Sequence, residues 1–197
     1  MLEAWETGRA LSAVGPGPLE DHFEHAEALA ALLPEDAGTG LDLGCGAGIP
    51  GLALAGLRSD MRWVLLDASL RRIRVVQAAI EALDWRGRVV AVHGRAEDRS
   101  LGLEPADVVI ARLFGPPPVT AECAAPLVAV GGHVLVSEPP LGPEEAAERW
   151  PPDGLAPLGL RPVASHREPA VQVLRLEAAP QARFPRKSGV ARKRPLW

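Results

Sequence analysis

Residues 39–54, with the sequence TGLDLGCGAGIPGLAL, constrain the fold of this chain more than any other segment. An apolar run with a single acid, Asp42, leads directly into three alternating glycines, Gly44, Gly46 and Gly48. Glycine lets a backbone turn tightly and approach a ligand without a Cβ in between. A strand that ends in such a loop is typical of the first βα unit of a cofactor-binding α/β sheet.

The same loop indicates which cofactor it binds. A helix is expected to begin at Ile49–Pro50, because proline suits a first helical turn, and its N-terminal amides are expected to face the ligand. The span from Gly46 to Gly51 fits the dinucleotide pattern G-x-G-x-x-G, with Asp67 at the interval of a ribose-binding acid. However, Asp42 precedes the loop, and a carboxylate repels a pyrophosphate, as like charges do.

The pattern D-x-G-x-G-x-G, from Asp42 to Gly48, resembles motif I of class I S-adenosylmethionine (SAM) methyltransferases. SAM carries a sulfonium cation and an ammonium group, which an acid suits. The loop therefore favours SAM, while a nicotinamide cofactor and a βα turn that binds nothing remain alternatives.

Apolar periodicity along the chain predicts an α/β fold. Helices are predicted over 20–33, 49–57 and about 70–83, strands over 39–43, 62–66, 89–93, 107–111 and 133–137, and a mostly helical segment over 119–130. This alternation implies a mostly parallel, Rossmann-like sheet with helices on both faces. A short helix over 143–150 follows, and the β-like runs 163–167 and 171–176 are expected to form a hairpin at one edge of the sheet.

Composition is that of an ordinary soluble globular protein, with 47% apolar and 23% charged residues among 197. We expect one domain over 1–180, with an irregular segment at 1–20 and a separate tail at 181–197. The chain has no apolar run of membrane-spanning length and no signal-peptide pattern at its start. Cys45 and Cys123 form no metal spacing. These features predict a cytoplasmic enzyme without a metal site or a membrane partner, and a monomer is expected.

The tail, residues 181–197, differs in charge from the rest of the chain. The remaining residues hold 15 basic and 25 acidic side chains, a net charge of −10, and both lysines of the chain lie in the tail. The tail has no acid and six basic residues: Arg183, Arg186, Lys187, Arg192, Lys193 and Arg194. A basic segment on an acidic body predicts contact with an RNA phosphate backbone. A solvated, disordered terminus is the alternative.

Further candidates lie at the ends of the other predicted strands, because ligands of such sheets bind beyond the carboxyl ends of the strands. Asp67 ends strand two and suits both ribose hydroxyls, or else caps the next helix. Ala96 and Glu97 follow strand three, where a backbone amide and an acid are expected to meet the adenine, or else Glu97 is simply a loop or helix-start residue. Arg112 follows strand four and faces the substrate or the carboxylate of the cofactor, or else is a satisfied structural residue.

The chemistry of methyl transfer restricts which atom of the substrate can accept the methyl group. The chain contains no asparagine and therefore lacks the Asn-Pro-Pro-aromatic motif of enzymes that methylate exocyclic amines. Guanine N7 already has an in-plane lone pair, so its methylation relies on proximity and orientation without a general base. No catalytic residue is assigned, and Arg112 is the candidate on the substrate side.

Several segments together resemble one methyltransferase family. LDLGCGAGIPGLALA, VLLDASLRRIRVVQAAIEAL, HGRAED, DVVIARL and FPRKSGVARKRPL look like successive motifs of the RsmG family, also called glucose-inhibited division protein B. That family methylates guanine N7 in small-subunit (16S) ribosomal RNA. The resemblance implies cofactor contacts at Gly44, Ile49, Ala96, Glu97 and Arg112, beside Asp42, Gly46, Gly48 and Asp67, and RNA contact by the tail.

The chain departs from the family pattern after strand five, where a Lys-Gly is common and this sequence has Ser137-Glu138. The predicted function is SAM-dependent methylation of guanine N7 in 16S rRNA. The alternatives are a methyltransferase of another RNA or of a small molecule, and a non-catalytic SAM- or RNA-binding paralogue.

Overall fold

The computed structural model describes residues 18–140 and 142–197. The chain divides into two compact units, with the boundary between Arg95 and Ala96. The predicted irregular segment 1–20 lies outside the described residues except for 18–20, where a helix already begins at Leu19. The expected division into a domain over 1–180 and a tail stays a prediction.

The first unit contains three parallel strands in the order β3-β2-β1. The strands are β1 (Thr39–Leu43), β2 (Arg62–Asp67) and β3 (Val89–His93), and the helices are α1 (Leu19–Ala30), α2 (Gly51–Leu57) and α3 (Leu70–Ala82). Leu41 and Leu43 in β1 and Leu65 in β2 are completely buried, as the central strands of a parallel sheet require. Because the strands run parallel, Leu43, Asp67 and His93 end at the same edge.

The second unit contains four strands in the order β4-β5-β7-β6. Its strands are β4 (Ala106–Ala111), β5 (Val128–Ser137), β6 (Leu160–Arg167) and β7 (Ala170–Leu176), and its helices are α4 (Pro117–Ala124), α5 (Pro143–Arg149), α6 (Pro152–Leu155) and α7 (Val190–Lys193). Strands β4 and β5 are parallel, whereas β7 runs antiparallel to both β5 and β6. The predicted hairpin is therefore present.

The largest differences from the predicted boundaries are at the end of α4 and the start of β5. The helix predicted over 119–130 ends at Ala124, and after one 3₁₀ turn the chain enters β5 at Val128. Pro126 explains the early end, because proline has no N–H to continue the α-helical hydrogen bonds. Strand β5 then continues through Gly131 and Gly132 to Ser137. The glycines break the apolar pattern, which is why the sequence indicated only 133–137.

Among the described residues, no helix is both long enough and apolar enough to cross a membrane. Within the same residues, no group of three or more His, Cys, Asp or Glu side chains is arranged to hold a metal ion. Both cysteines, Cys45 and Cys123, are buried free thiols.

Candidate functional site

The glycine loop of the first unit is held by hydrogen bonds from its own amides. The N–H groups of Gly44 and Cys45 both donate to the Leu66 carbonyl, at 2.8 and 3.0 Å, which joins the loop to the end of β2. The Gly48 N–H donates to the Cys45 carbonyl at 2.8 Å. Gly44, Gly46 and Gly48 all have positive φ, with 94° at Gly48, a conformation that a side chain makes unfavourable. Ile49 is half-buried beside them.

Asp42 is buried, with 1% of its surface exposed, and its carboxylate caps the helix after the loop. Its Oδ2 accepts the Gly51 N–H at 2.8 Å. Helix α2 begins at Gly51, two residues later than predicted, and Pro50 is its N-cap. The sequence predicted that the N-terminal amides of this helix face a ligand. In the structure the first of them, the Gly51 N–H, donates to Asp42.

Asp67 is also buried, with 6% exposure, and both of its carboxylate oxygens accept hydrogen bonds. Oδ2 accepts the Gly46 N–H at 3.0 Å, and Oδ1 accepts the Ser69 N–H at 2.8 Å. The Arg72 guanidinium lies 3.6 Å from Oδ2. Asp67 is not itself the N-cap of α3, which is Ser69, but it binds the N–H of that residue. A carboxylate has about four lone-pair sites, so these contacts do not exhaust its capacity to bind hydroxyl groups.

The structure therefore brings Asp42, the glycine loop and Asp67 together in one hydrogen-bonded cluster. The Cys45 thiol lies in this cluster, and burial raises its pKa well above the ordinary value of 9.0. The carboxylates of Asp42 and Asp67 raise it further, because they oppose a second negative charge. The cluster thus keeps two carboxylates next to a neutral thiol.

The other predicted cofactor contacts, Ala96, Glu97 and Arg112, belong to the second unit, where all three are half-buried. Glu97 Oε1 accepts the Gly189 N–H of the tail at 3.0 Å. Arg112 follows the last residue of β4, and Leu113 after it has a φ of 54° and 76% exposure. An exposed leucine in the left-handed region is uncommon and marks this turn as constrained.

Within the second unit, the tail is packed against helix α4 and held there by an ion pair. Phe184 is 1% exposed, and the Arg186 guanidinium donates to both oxygens of Glu122, a residue of α4 with 0% exposure. The backbone N–H of Arg186 donates to Glu122 Oε1 as well, at 2.9 Å. These bonds raise the pKa of Arg186. The tail is thus not the solvated, disordered terminus that the sequence left as an alternative.

The six predicted RNA contacts in the tail differ in their partners and in their exposure. Arg186 is engaged with Glu122, and Arg183 lies over the Phe184 ring, with 4.9 Å from its guanidinium carbon to the ring centre. The exposed cations are Arg183, Lys187, Arg192, Lys193 and Arg194.

Glu138, which stands where the family commonly has a cation, has a structural role. Its side chain is 7% exposed and accepts hydrogen bonds from Arg149 Nε at 2.5 Å and from Trp150 Nε1 at 3.1 Å. It thereby fastens the end of helix α5 to the end of β5.

Sequence reasoning missed Glu122 and Arg99. Arg99 donates to the carbonyls of Ala182 and Phe184 and so holds the tail from the loop after β3. Glu122 did carry a signal, because it is the single charged residue between 113 and 132. A lone acid inside an apolar helix is almost never buried without a partner. Arg99 carried no comparable signal, since its partners are backbone carbonyls.

A family model and several proteins of known sequence are similar to this chain. A family model described as rRNA small subunit methyltransferase G (GidB) matches residues 12–147. The ribosomal RNA small subunit methyltransferase G of Deinococcus deserti is 33% identical over 80% of this chain and 68% of its own length. That of Salinispora arenicola is 37% identical over 64% of this chain, and the chain spans only 54% of that relative.

Solved structures of methyltransferases share the fold. CcbJ from Streptomyces caelestis superposes with a TM-score of 0.60 at 19% identity, over 81% of this chain and 97% of its own. The O-methyltransferase NcsB1, solved with S-adenosyl-L-homocysteine, gives 0.57 at 21% identity, over 76% and 52%. The predicted class I methyltransferase fold is thereby confirmed. With the family model matching more than half of its residues, the chain belongs to the rRNA small subunit methyltransferase G family, as its motifs predicted.

Proposed function

We propose that this protein transfers the methyl group of SAM to N7 of a guanine in small-subunit ribosomal RNA. Its family membership makes it a SAM-dependent rRNA methyltransferase. The guanine N7 acceptor and the individual binding residues are our proposal. The cytoplasmic location and the monomeric state expected from the sequence stay predictions.

The observation that carries the choice of cofactor is the Asp42 carboxylate on the first amide of helix α2. Dinucleotide enzymes leave the amides at this helix start to the pyrophosphate. Here the Gly51 N–H donates to Asp42 at 2.8 Å, and the Gly46 N–H donates to Asp67 at 3.0 Å. A pyrophosphate would meet two buried carboxylates at these positions. A cation meets a favourable field there, which fits the sulfonium and ammonium groups of SAM.

The proposed roles of the residues follow from this field. When bound, SAM supplies an electrophilic methyl group on a positively charged sulfur. Asp42, Gly44, Gly46, Gly48 and Ile49 border the methionine part, and Asp67 accepts the ribose hydroxyls. Ala96 and Glu97 are assigned to the adenine, and Arg112 to the substrate side or the cofactor carboxylate.

No proton has to be removed from the acceptor before transfer, because guanine N7 presents an in-plane lone pair. The contribution of the protein is then to align that lone pair with the methyl group and to hold both in place. The side chain of Leu113, next to Arg112, is 76% exposed, and we assign it to contact with the incoming RNA.

Calorimetric titration with SAM, and with NAD as the control, tests the cofactor. We expect micromolar binding of SAM and no binding of NAD. NAD binding, or the absence of binding to either, would overturn this reading of the glycine loop. A methyl-transfer assay on 16S rRNA, with mapping of the modified nucleotide, then tests the acceptor, and modification at any atom other than guanine N7 would refute it.

Asp67→Asn tests the ribose contact. The loss of the negative charge that accepts two hydroxyl groups should weaken SAM binding about 100-fold, since hydrogen bonds to charged groups contribute about 1.5–3 kcal/mol each. Asp36→Asn, at an exposed acid of the same unit, is the matched control and should bind normally. Unchanged SAM affinity in a folded Asp67→Asn protein would remove Asp67 from the site.

A further inference from the structure

The tail contacts the loop 97–99 at two separate places. Glu97 Oε1 accepts the Gly189 N–H at 3.0 Å, and the Arg99 guanidinium donates to the carbonyls of Ala182 and Phe184. These contacts lie on both sides of Arg186, the tail residue that is bound to Glu122. The tail and the loop are therefore joined on the N-terminal side and on the C-terminal side of Arg186.

The Gly189 contact depends on an unusual backbone conformation. Gly189 has a φ of 78° and directly precedes helix α7, and nothing lies within 4 Å of the position that a Cβ would take. The conformation, rather than lack of space, requires glycine here. The turn aims the N–H at the Glu97 carboxylate, and it joins Lys187 to Arg192, Lys193 and Arg194, which are all exposed.

We propose that the tail positions Glu97 for the adenine of SAM, so that RNA binding at the tail cations and SAM binding strengthen each other. This inference rests on the proposed function, in which Glu97 contacts the adenine. The N–H of Gly189 in this turn binds the Glu97 carboxylate. The exposed basic residues on both sides of the turn carry the positive charges that bind the phosphate groups of the RNA. RNA that orders this turn also orders Glu97, and the coupling is necessarily reciprocal between the two ligands.

Gly189→Val tests the positioning role in the full chain. A β-branched residue strongly disfavours a φ of 78°, so the turn should shift and the N–H should leave Glu97. We expect SAM affinity, measured by calorimetry without RNA, to fall about tenfold, the loss typical of one hydrogen bond to a charged group. Gly189→Asn, which tolerates the left-handed conformation, should bind SAM within about twofold of wild type.

A double-mutant cycle shows whether the tail acts through Glu97. Glu97→Ala should weaken SAM binding, and adding Gly189→Val to it should cause no further loss. If Gly189→Val costs the same factor in both backgrounds, the tail acts elsewhere and the inference is overturned. Equal affinity of wild type and Gly189→Val also overturns it, provided that thermal unfolding shows both proteins folded. If the wild-type chain does not bind SAM at all, the proposed function falls, and this inference falls with it.

The coupling itself is measured with a transcript of 16S rRNA as the probe. Saturating RNA should raise the SAM affinity of the wild-type protein, and SAM should raise RNA affinity by the same factor. Gly189→Val should abolish this mutual gain while retaining the tail cations. Ser188→Ala, at the neighbouring exposed position, is the control and should keep it. A gain that persists in Gly189→Val would contradict the proposal.

Discussion

Gly51 occupies a position that any larger residue would take only by displacing Asp42. A Cβ at this position would lie 2.6 Å from Asp42 Oδ2 and 2.8 Å from Leu65 Cδ2. Both neighbours are buried, so neither can move aside freely. The close approach keeps the Asp42 carboxylate on the first amide of the helix.

Gly51→Ala should therefore reduce both stability and SAM binding. We expect the free energy of unfolding to fall by about 1–3 kcal/mol, as in other overpacked cores, and SAM affinity to fall because Asp42 is displaced. Denaturant unfolding and calorimetry measure the two effects. Gly56→Ala is the control, since Gly56 is an exposed residue of the same helix and alanine favours helix formation. A normal SAM affinity in Gly51→Ala would contradict the role given to Asp42.

The buried Cys45 thiol predicts a loss of stability at alkaline pH. Its pKa is raised in the folded protein, first by burial and then by Asp42 and Asp67, whereas the unfolded thiol has the ordinary value of 9.0. Below pH 9 the thiol keeps its proton in both the folded and the unfolded protein, so it does not make the free energy of unfolding depend on pH. Above pH 9 the unfolded chain releases it first, which lowers the free energy of unfolding by up to about 1.4 kcal/mol per pH unit.

Denaturant unfolding of the wild-type and Cys45→Ala proteins between about pH 7 and 10 checks this sign. The wild-type protein should lose stability more steeply above pH 9 than the variant. Parallel curves for the two proteins would show that this thiol does not set the alkaline slope.

At the scale of elements, we expect the pairing of helix α4 with the tail to be sensitive to mutation. Glu122 is completely buried, and the side chain of Arg186 is 23% exposed. Arg186→Ala should destabilise the protein by about 3–5 kcal/mol, because it leaves a buried carboxylate without its cation. Arg186→Lys should recover only part of the loss, since an ammonium lacks the fork that reaches both oxygens. Thermal unfolding of both variants, with Arg183→Ala as the exposed control, measures the difference.

Some elements could be predicted from the sequence because their signal is local. Strand β1 and the hairpin follow from short apolar runs and turns, and Asp42 and the loop glycines follow from their spacing. The end of α4 did carry a local signal, Pro126, which outweighs the apolar periodicity around it. The length of β5 could not be predicted, because the Gly131–Gly132 pair interrupts the apolar run. The bonds from Glu97 to Gly189 and from Glu122 to Arg186 join residues 92 and 64 positions apart, which no local pattern encodes.

At the scale of the whole molecule, charge separates the tail from the rest of the chain. The remaining residues carry a net charge of −10, which repels RNA, so binding should depend on the five exposed cations of the tail. Changing Arg192, Lys193 and Arg194 to glutamine together should reduce the slope of log K against log salt for 16S rRNA by about 2–3.

Filter binding at several salt concentrations measures this slope. The matched control changes three exposed arginines outside the tail to glutamine, Arg86, Arg161 and Arg167. An equal reduction of the slope in the control would show that RNA binding depends on overall charge rather than on the tail.

The pairing of Glu122 with Arg186 also has a consequence for biosynthesis. The ribosome adds Glu122 to the nascent chain 64 residues before it adds the arginine that neutralises it. Until then, helix α4 carries an uncompensated acid on a surface that must become buried. Products of premature termination between these positions cannot complete the second unit, and they expose apolar surface to chaperones and proteases. We therefore expect a stable fold to require translation through Arg186, and chains truncated before it to be removed by cellular quality control.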